Sequence, residues 1–134
     1  MNVRDHNVGN SDYSKHKIQP WEIWIQYKLN PFDADILKRT LRTKAENGLS
    51  KEEARELDYK KIIHISQERI RQIDEGIRWY KEEINPTITL QMIVNEYNLN
   101  SLDSKIVEII LERKLDDRAA YLNIIKAVEE KDGY

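Results

Sequence analysis

The sequence contains no cysteine. That excludes a disulfide framework and any thiolate metal site, and makes a reducing, cytoplasmic compartment the default expectation. Glycine is scarce, with four residues in 134, and proline scarcer, with three. So few turn-formers leave little material for the tight hairpins of a β-sandwich. The glycines (Gly9, Gly48, Gly76 and Gly133) stand apart from one another, so no glycine-rich phosphate loop can be built. No apolar run approaches the ~18 residues of a membrane span, and Met1–Asn10 lacks the apolar core of a signal peptide. No membrane partner is expected. His6, His16 and His64 show no ligand spacing, and no metal site is expected. A net charge of −2 gives no excess of positive charge for a polyanion, so nucleic acid is not an expected partner.

Hydrophobic residues make up 40% of the chain and charged residues 34%, a globular mix rather than a disordered one. Isoleucine, leucine, lysine and glutamate dominate, and the periodicity is helical almost throughout. The first ~17 residues have turn chemistry without periodicity and read as a mobile arm. Pro20 then opens a short helix carrying Trp21, Trp24 and Ile25, and Asn30-Pro31 caps and opens a second, reaching about Asn47. Gly48 stands where a left-handed residue closes a helix. Ser50-Lys51-Glu52-Glu53 forms a capping box, and no proline follows until Pro86. Ile63, Ile70, Ile73, Ile77, Tyr80 and Ile84 keep a heptad-like spacing. One helix over about 51–83, roughly 50 Å long at ~1.5 Å per residue, is therefore expected. Ile62-Ile63-His64-Ile65 could be a strand by composition, but the cap before it and the heptads after it favour helix. Three shorter helices follow, at about 90–97, at 101–114 capped by Asn100, and at 117–131 capped by Asp116. The expected architecture is an all-α helical bundle around one long central helix. A helical region over 1–84 is joined by a three-helix region over 85–134 packed on it. An Ile/Tyr seam that long exceeds what one chain can cover, so a homo-oligomer is expected.

Charge is unevenly placed. Residues 1–47 sum to +2 (eight basic, six acidic), 48–84 to −1 and 85–134 to −3, so an anion site belongs in the first half or at its border. On the second helix Ala34, Leu37, Leu41 and Ala45 form the core face, with Asp35, Lys38 and Arg42 along its border. On the long helix Ala54, Leu57, Ile62 and Ile65 define the expected inner face, and Asp58 intrudes on it with Lys61 one turn on and His64 at its edge. A buried carboxylate needs a cation, and the candidates are Lys61, Lys38 and Arg42. Two readings stand side by side. The cluster is either an ion-pair network fixing helix register, or an anion site in which Lys38, Arg42 and Lys61 face a phosphate that Asp58 helps to orient. In the second reading Tyr13, Trp21 and Trp24 could supply a stacking surface for a base.

Three blocks carry a family resemblance. They are Tyr13 with Lys17-Ile18-Gln19-Pro20-Trp21-Glu22, the stretch Ala34-Asp35-Ile36-Leu37-Lys38-Arg39-Thr40-Leu41-Arg42-Thr43-Lys44, and Leu57-Asp58-Tyr59-Lys60-Lys61-Ile62-Ile63-His64. Over about residues 11–70 the chain resembles the SaV-like group of small bacteriophage proteins, which includes a phage nucleotide kinase. Asp35 stands where that pattern has asparagine, Arg39 where it has tyrosine, Tyr59 where it has leucine and Ile62 where it has alanine. The resemblance implies a phage or prophage origin, a nucleotide ligand and nucleoside monophosphate kinase activity, with ATP and Mg²⁺ as co-reactants. It makes Asp58, Lys38 and Arg42 the catalytic candidates. Lys44, Lys61, Tyr13 and Trp21 join Lys38 and Arg42 in nucleotide binding, and Asp35, His64 and Gln19 support them. The alternative is a non-enzymatic phage protein that binds a host protein or sequesters a nucleotide.

Two further classes fare worse. A helical pyrophosphatase needs paired Glu-x-x-Glu and Glu-x-x-Asp motifs on neighbouring helices, and only Glu53/Glu56 and the distant Glu129/Asp132 are present. Residues 89–100 look like the first half of a helix-turn-helix. The second helix, however, sets Asp103, Glu108 and Glu112 against Lys105, Arg113 and Lys114, a poor surface for DNA phosphates.

Overall fold

The computed structural model describes residues 16–42, 48–80, 82–112 and 116–131. Six helices follow in order: α1 (Pro20–Tyr27), α2 (Pro31–Leu41), α3 (Lys51–Asp74), α4 (Leu90–Tyr97), α5 (Ser101–Glu112) and α6 (Arg118–Glu130). The described residues hold no strand and no helix long and apolar enough to cross a membrane. The all-helical class and the long central helix are as the sequence leads one to expect. Most of the expected arm, residues 1–15, lies outside the described residues. His16 and Lys17 are fixed, the His16 ring stacking on Tyr97 at 4.1 Å and the Lys17 N–H donating to Glu96 at 2.6 Å.

The caps follow the sequence closely. Pro20 and Pro31 each take a first helical position, where the missing N–H costs nothing. Asn30 Oδ1 accepts the Asp33 N–H at 2.8 Å, and Asn100 Oδ1 accepts the Asp103 N–H at 2.8 Å. At the head of α3 the Ser50 hydroxyl and the Glu53 carboxylate each take the other's backbone N–H at 3.1 Å. Gly48 is left-handed, with φ +77°, but it does not close α2, which ends at Leu41 with Arg42 as its cap. The α6 cap is corrected by one residue. Asp117 fills it, accepting the Ala119 N–H at 3.0 Å, because Asp116 is turned inward to an arginine.

Two helices end earlier than their periodicity suggests. α2 stops at Leu41, Arg42 being extended with ψ 135°; residues 43–47, including Lys44 and Ala45, lie outside the described residues. α3 runs unbroken through Ile62–Ile65 but ends at Asp74 rather than near Glu83. The reason is Gly76, at φ +81°. Its N–H bonds the Ile73 carbonyl at 3.0 Å and the Ile77 N–H bonds Gln72 at 2.9 Å, the paired closure a left-handed residue allows. A Cβ at Gly76 would meet nothing within 4 Å, so backbone conformation rather than space calls for glycine. The heptad seam is broken there. Ile63, Ile70 and Ile73 flank the core of their own chain, whereas Ile77, Tyr80 and Ile84 fall beyond the helix and are 45%, 97% and 43% exposed.

Contacts close a ring of four helices, α2 on α3, α3 on α6, α6 on α5 and α5 on α2, with α1 against α2 and α4 against α5. Ile36, Leu37, Ile62, Ile106, Val107, Ile110, Tyr121 and Ile124 fill the centre, each buried isoleucine or leucine contributing about 1.5–3 kcal/mol. The buried stripe of α3 is Asp58, Tyr59, Ile62, Ser66, Arg69 and Gln72. Leu57, expected on that face, is 44% exposed. At ~100° per residue it points ~140° from Ile62, together with exposed His64.

A polar stripe survives inside because it is fully engaged. The Ser66 hydroxyl returns to the Ile62 carbonyl at 2.8 Å. Arg69, wholly buried, donates to Gln72 at 2.9 Å, to the Tyr121 hydroxyl at 3.4 Å and to Asp116 at 2.7 Å. The Tyr121 hydroxyl in turn donates to buried Asp33 at 2.7 Å. One guanidinium thus binds α3 to α6, to α2 and to the α5–α6 connection. Burial opposes the charge on Arg69, but Tyr121 and Asp116 outweigh it and raise its pKa further.

Candidate functional site: a charged cleft at the α2–α3–α5 junction

Where α2 ends, the first half of α3 and the α4–α5 turn face each other across a cleft of about 380 Å³. Its walls are Thr40, Leu41 and Arg42 from α2 and its cap, Lys51, Glu52, Ala54, Arg55 and Asp58 from α3, Tyr97–Asn100, and Asp103 from α5. The volume lies at the lower end of the small-molecule range. Three cations and three carboxylates share the walls, and the first turns of α3 and α5 both border the space, adding partial positive charge.

Asp58 is 6% exposed and lies between two guanidinium groups, Arg39 Nη1 at 3.3 Å and Arg42 Nε at 3.8 Å. The expected partners Lys61 and Lys38 do not fill that role. Both are exposed and neither lines the cleft. The buried direction of α3 passes through Asp58 and Ile62, and Lys61 turns away from it. Asp35 engages Arg39 instead, its carboxylate 3.0 Å from Nε, close enough for an ion pair though without hydrogen-bond alignment.

Arg55, which the periodicity did not single out, organises the other wall. It donates to the carbonyls of Arg39 at 2.9 Å, Thr40 at 3.0 Å and Arg42 at 3.4 Å. It thereby satisfies the free C-terminal carbonyls of α2 and complements that end of its dipole. Arg55 also pairs with Asp103 and lies 4.6 Å from the Tyr59 ring centroid, while the Tyr59 hydroxyl donates to Asp103 at 2.8 Å. Burial works against the Arg55 charge, yet Asp103 and Tyr59 raise its pKa overall. Burial raises the Tyr59 phenol, opposed by Arg55 and reinforced by Asp103. A signal for Arg55 was present: Arg55, Tyr59, Ile62, Ser66 and Arg69 recur at 3/4 spacing, one buried line of α3.

The expected site residues divide accordingly. Arg42 and Asp58 meet at the cleft. Lys38, Lys61 and His64 are exposed outside it, and Trp21 is 46% exposed on α1. Trp24 packs against the core. Gln19 is the buried residue before α1, its N–H on Glu22 at 2.9 Å and its amide donating to the His16 carbonyl at 2.8 Å. Tyr13 and Lys44 lie outside the described residues. The described residues hold no group of three His, Asp or Glu able to grip a metal, and Asp58 and Asp103 are each engaged by arginine. The α4–α5 pair does make a helix, a left-handed turn at Asn98 (φ 50°) and a second helix. The exposed face of α5 carries Ser101, Lys105, Glu108 and Glu112, which offers DNA more negative charge than positive. The chain matches no protein-family model, no curated protein sequence and no solved structure.

Proposed function

We propose that this chain is a nucleotide-binding protein of bacteriophage type that holds a phosphorylated ligand in the α2–α3–α5 cleft. The observation that carries the reading is the position of Arg42. It lines a cleft of about 380 Å³ from the end of α2, with Lys51 on the opposite helix. Leu41, Ala54, Tyr97 and Leu99 supply apolar wall for a base or sugar, and Arg42 and Lys51 supply charge for a phosphate. The likeness of residues 11–70 to the SaV-like proteins supports the nucleotide class and the phage origin. Phosphoryl transfer is the reaction that likeness implies. The geometry favours binding without turnover, because Lys38 and Lys61, the other cations such a reaction would use, stand outside the cleft.

A thermal-shift series with nucleoside mono-, di- and triphosphates tests this. A ligand present at about 100 Kd adds about 2.7 kcal/mol of stability. The reading is overturned if no nucleotide at millimolar concentration moves the midpoint. Release of labelled phosphate, measured on the same samples, separates an enzyme from a binder.

The alternative is an interaction protein, and Tyr80 favours it. The segment after α3 is pinned at Trp79, whose N–H meets Asp116 at 3.3 Å, and again at Thr87 and Ile88, whose N–H groups meet Gln26 at 2.8 and 2.9 Å. Between the pins Tyr80 is 97% exposed and Ile84 43%. Light scattering at tens of micromolar separates a homo-oligomer from a monomer that leaves this segment for a different protein. A dimer mass that reverts to monomer in Tyr80→Ser marks the segment as a self-association surface.

A further inference from the structure

We infer that the segment after α3 docks on a second copy of itself, antiparallel about a two-fold axis at Tyr80, with Arg78 of each chain meeting Glu82 of the other. The inference rests on the interaction-protein reading above rather than the ligand-binding one, and gives that reading a partner and a register.

The segment is an open strip held at both ends. Residues 77–80 and 82–86 belong to no helix or strand. One end is tied down by Trp79, its N–H on Asp116 at 3.3 Å and its ring edge-on to Phe32 at 6.2 Å. The other is tied by Thr87 and Ile88 on Gln26. A surface ordered in advance loses less freedom on association. Exposed Arg78, half-buried Trp79 and exposed Tyr80 follow one another, the alternation of an extended chain, in which Arg78, Tyr80 and Glu82 share one side. All three are exposed, and among the described residues none of them has a hydrogen-bond or ion-pair partner.

The strip is complementary to itself. A cation stands two residues before Tyr80 and an anion two residues after it. In a two-fold contact residue i meets j and j meets i, so two copies set antiparallel with Tyr80 at the axis bring Arg78 against Glu82 twice. Opposite charges facing across paired chains favour this register, and like charges disfavour others. Centring the pair on Glu82 instead would set that carboxylate against its own copy. The Tyr80 register also turns Ile84 of each copy toward Ile77 of the other, and these are 43% and 45% exposed. Area sets the strength. Tyr80, 97% exposed, offers about 200 Å². With two half-exposed isoleucines added, the strip still falls short of the about 800 Å² per partner of a stable interface. The dimer is therefore weak and reversible rather than obligate.

Sedimentation velocity on the full chain tests this from tens to hundreds of micromolar, at low and at high salt. Wild type is expected to pass from monomer to dimer across that range, and high salt to weaken the dimer. Arg78→Glu and Glu82→Arg should each weaken it about ten-fold or more, because each sets like charges face to face at both ends of the contact. An equimolar mixture of the two variants should dimerise at least as well as wild type, since every charged pair between the unlike chains is then of opposite sign. Both positions are exposed, so the variants should melt close to wild type, and a lost dimer is not a lost fold. A wild type that stays monomeric at the highest concentration overturns the inference and leaves the strip to a different protein. A dimer lost in Tyr80→Ser but indifferent to both charge reversals, or not recovered in the mixture, overturns the register while the strip remains the association surface. A dimer that Tyr80→Ser leaves intact overturns the inference and, with it, the reading of this strip as a docking surface.

Discussion

Replacing Arg69 by methionine is the sharpest test of how this fold is held together. The side chain is fully buried and methionine fills most of its volume, so the substitution removes charge and donors more than packing. Three hydrogen bonds disappear, to Gln72, Tyr121 and Asp116. The heaviest consequence falls on Asp116, whose side chain is 8% exposed and which keeps only a 3.3 Å bond from the Trp79 N–H. Breaking a buried pair from one side typically costs about 3–5 kcal/mol, against a total of about 5–15 kcal/mol for a domain of this kind. Asp116→Asn alone should cost a similar amount, because it strands the guanidinium. In the double variant neither charge is left alone, so the combined loss should fall short of the sum by about 2–3 kcal/mol. Urea unfolding followed by circular dichroism gives all three values. Tryptophan fluorescence adds a local report, since Trp79 touches Asp116 through its backbone and Phe32 through its ring at 6.2 Å. A loss below about 1 kcal/mol for Arg69→Met, or strict additivity in the double variant, would refute the claim that this arginine is the hub of the bundle.

Other outcomes follow from the same contacts. Gly76→Ala should destabilise by roughly 1–2 kcal/mol, because alanine is strained at φ +81° whatever the free space around it; an unchanged urea midpoint would mean that α3 can simply run on. Ser50→Ala removes the hydroxyl half of the α3 capping box and should cost about 1 kcal/mol in the same assay. Tyr59 sets an alkaline limit. Burial chiefly, with Asp103 and against Arg55, raises its phenol, so the unfolded chain loses that proton first. Its contribution is complete below the ordinary tyrosine range and is lost as pH rises through that range toward the folded value. Stability measured from pH 8 to 11 should therefore fall less steeply in Tyr59→Phe than in wild type, and identical slopes would contradict the linkage.

Local chemistry made the helices themselves legible. Proline at a first helical position, asparagine or serine at a cap and an unbroken 3/4 periodicity act within a few residues of where they stand, so Pro20, Asn30, Ser50 and Asn100 could be read directly from the chain. Gly76 carried equally local information, but it was outweighed by an apolar spacing that continued past it. What the sequence could not decide was which face of α3 points inward. The expected face joined Asp58 and Ile62 to Leu57, and the structure keeps the first two buried but carries the line on through Ser66, Arg69 and Gln72 and leaves Leu57 exposed. That choice is tertiary. A buried arginine is tolerable only where Asp116 and Tyr121 arrive from 47 and 52 residues away, and a buried Asp58 only where Arg39 reaches across from α2. The sequence by itself marked Asp58 as a carboxylate in need of a cation and named Arg42 among the candidates, and three-dimensional packing decided that Arg39 joins Arg42 there while Lys38 and Lys61 stay outside the cleft.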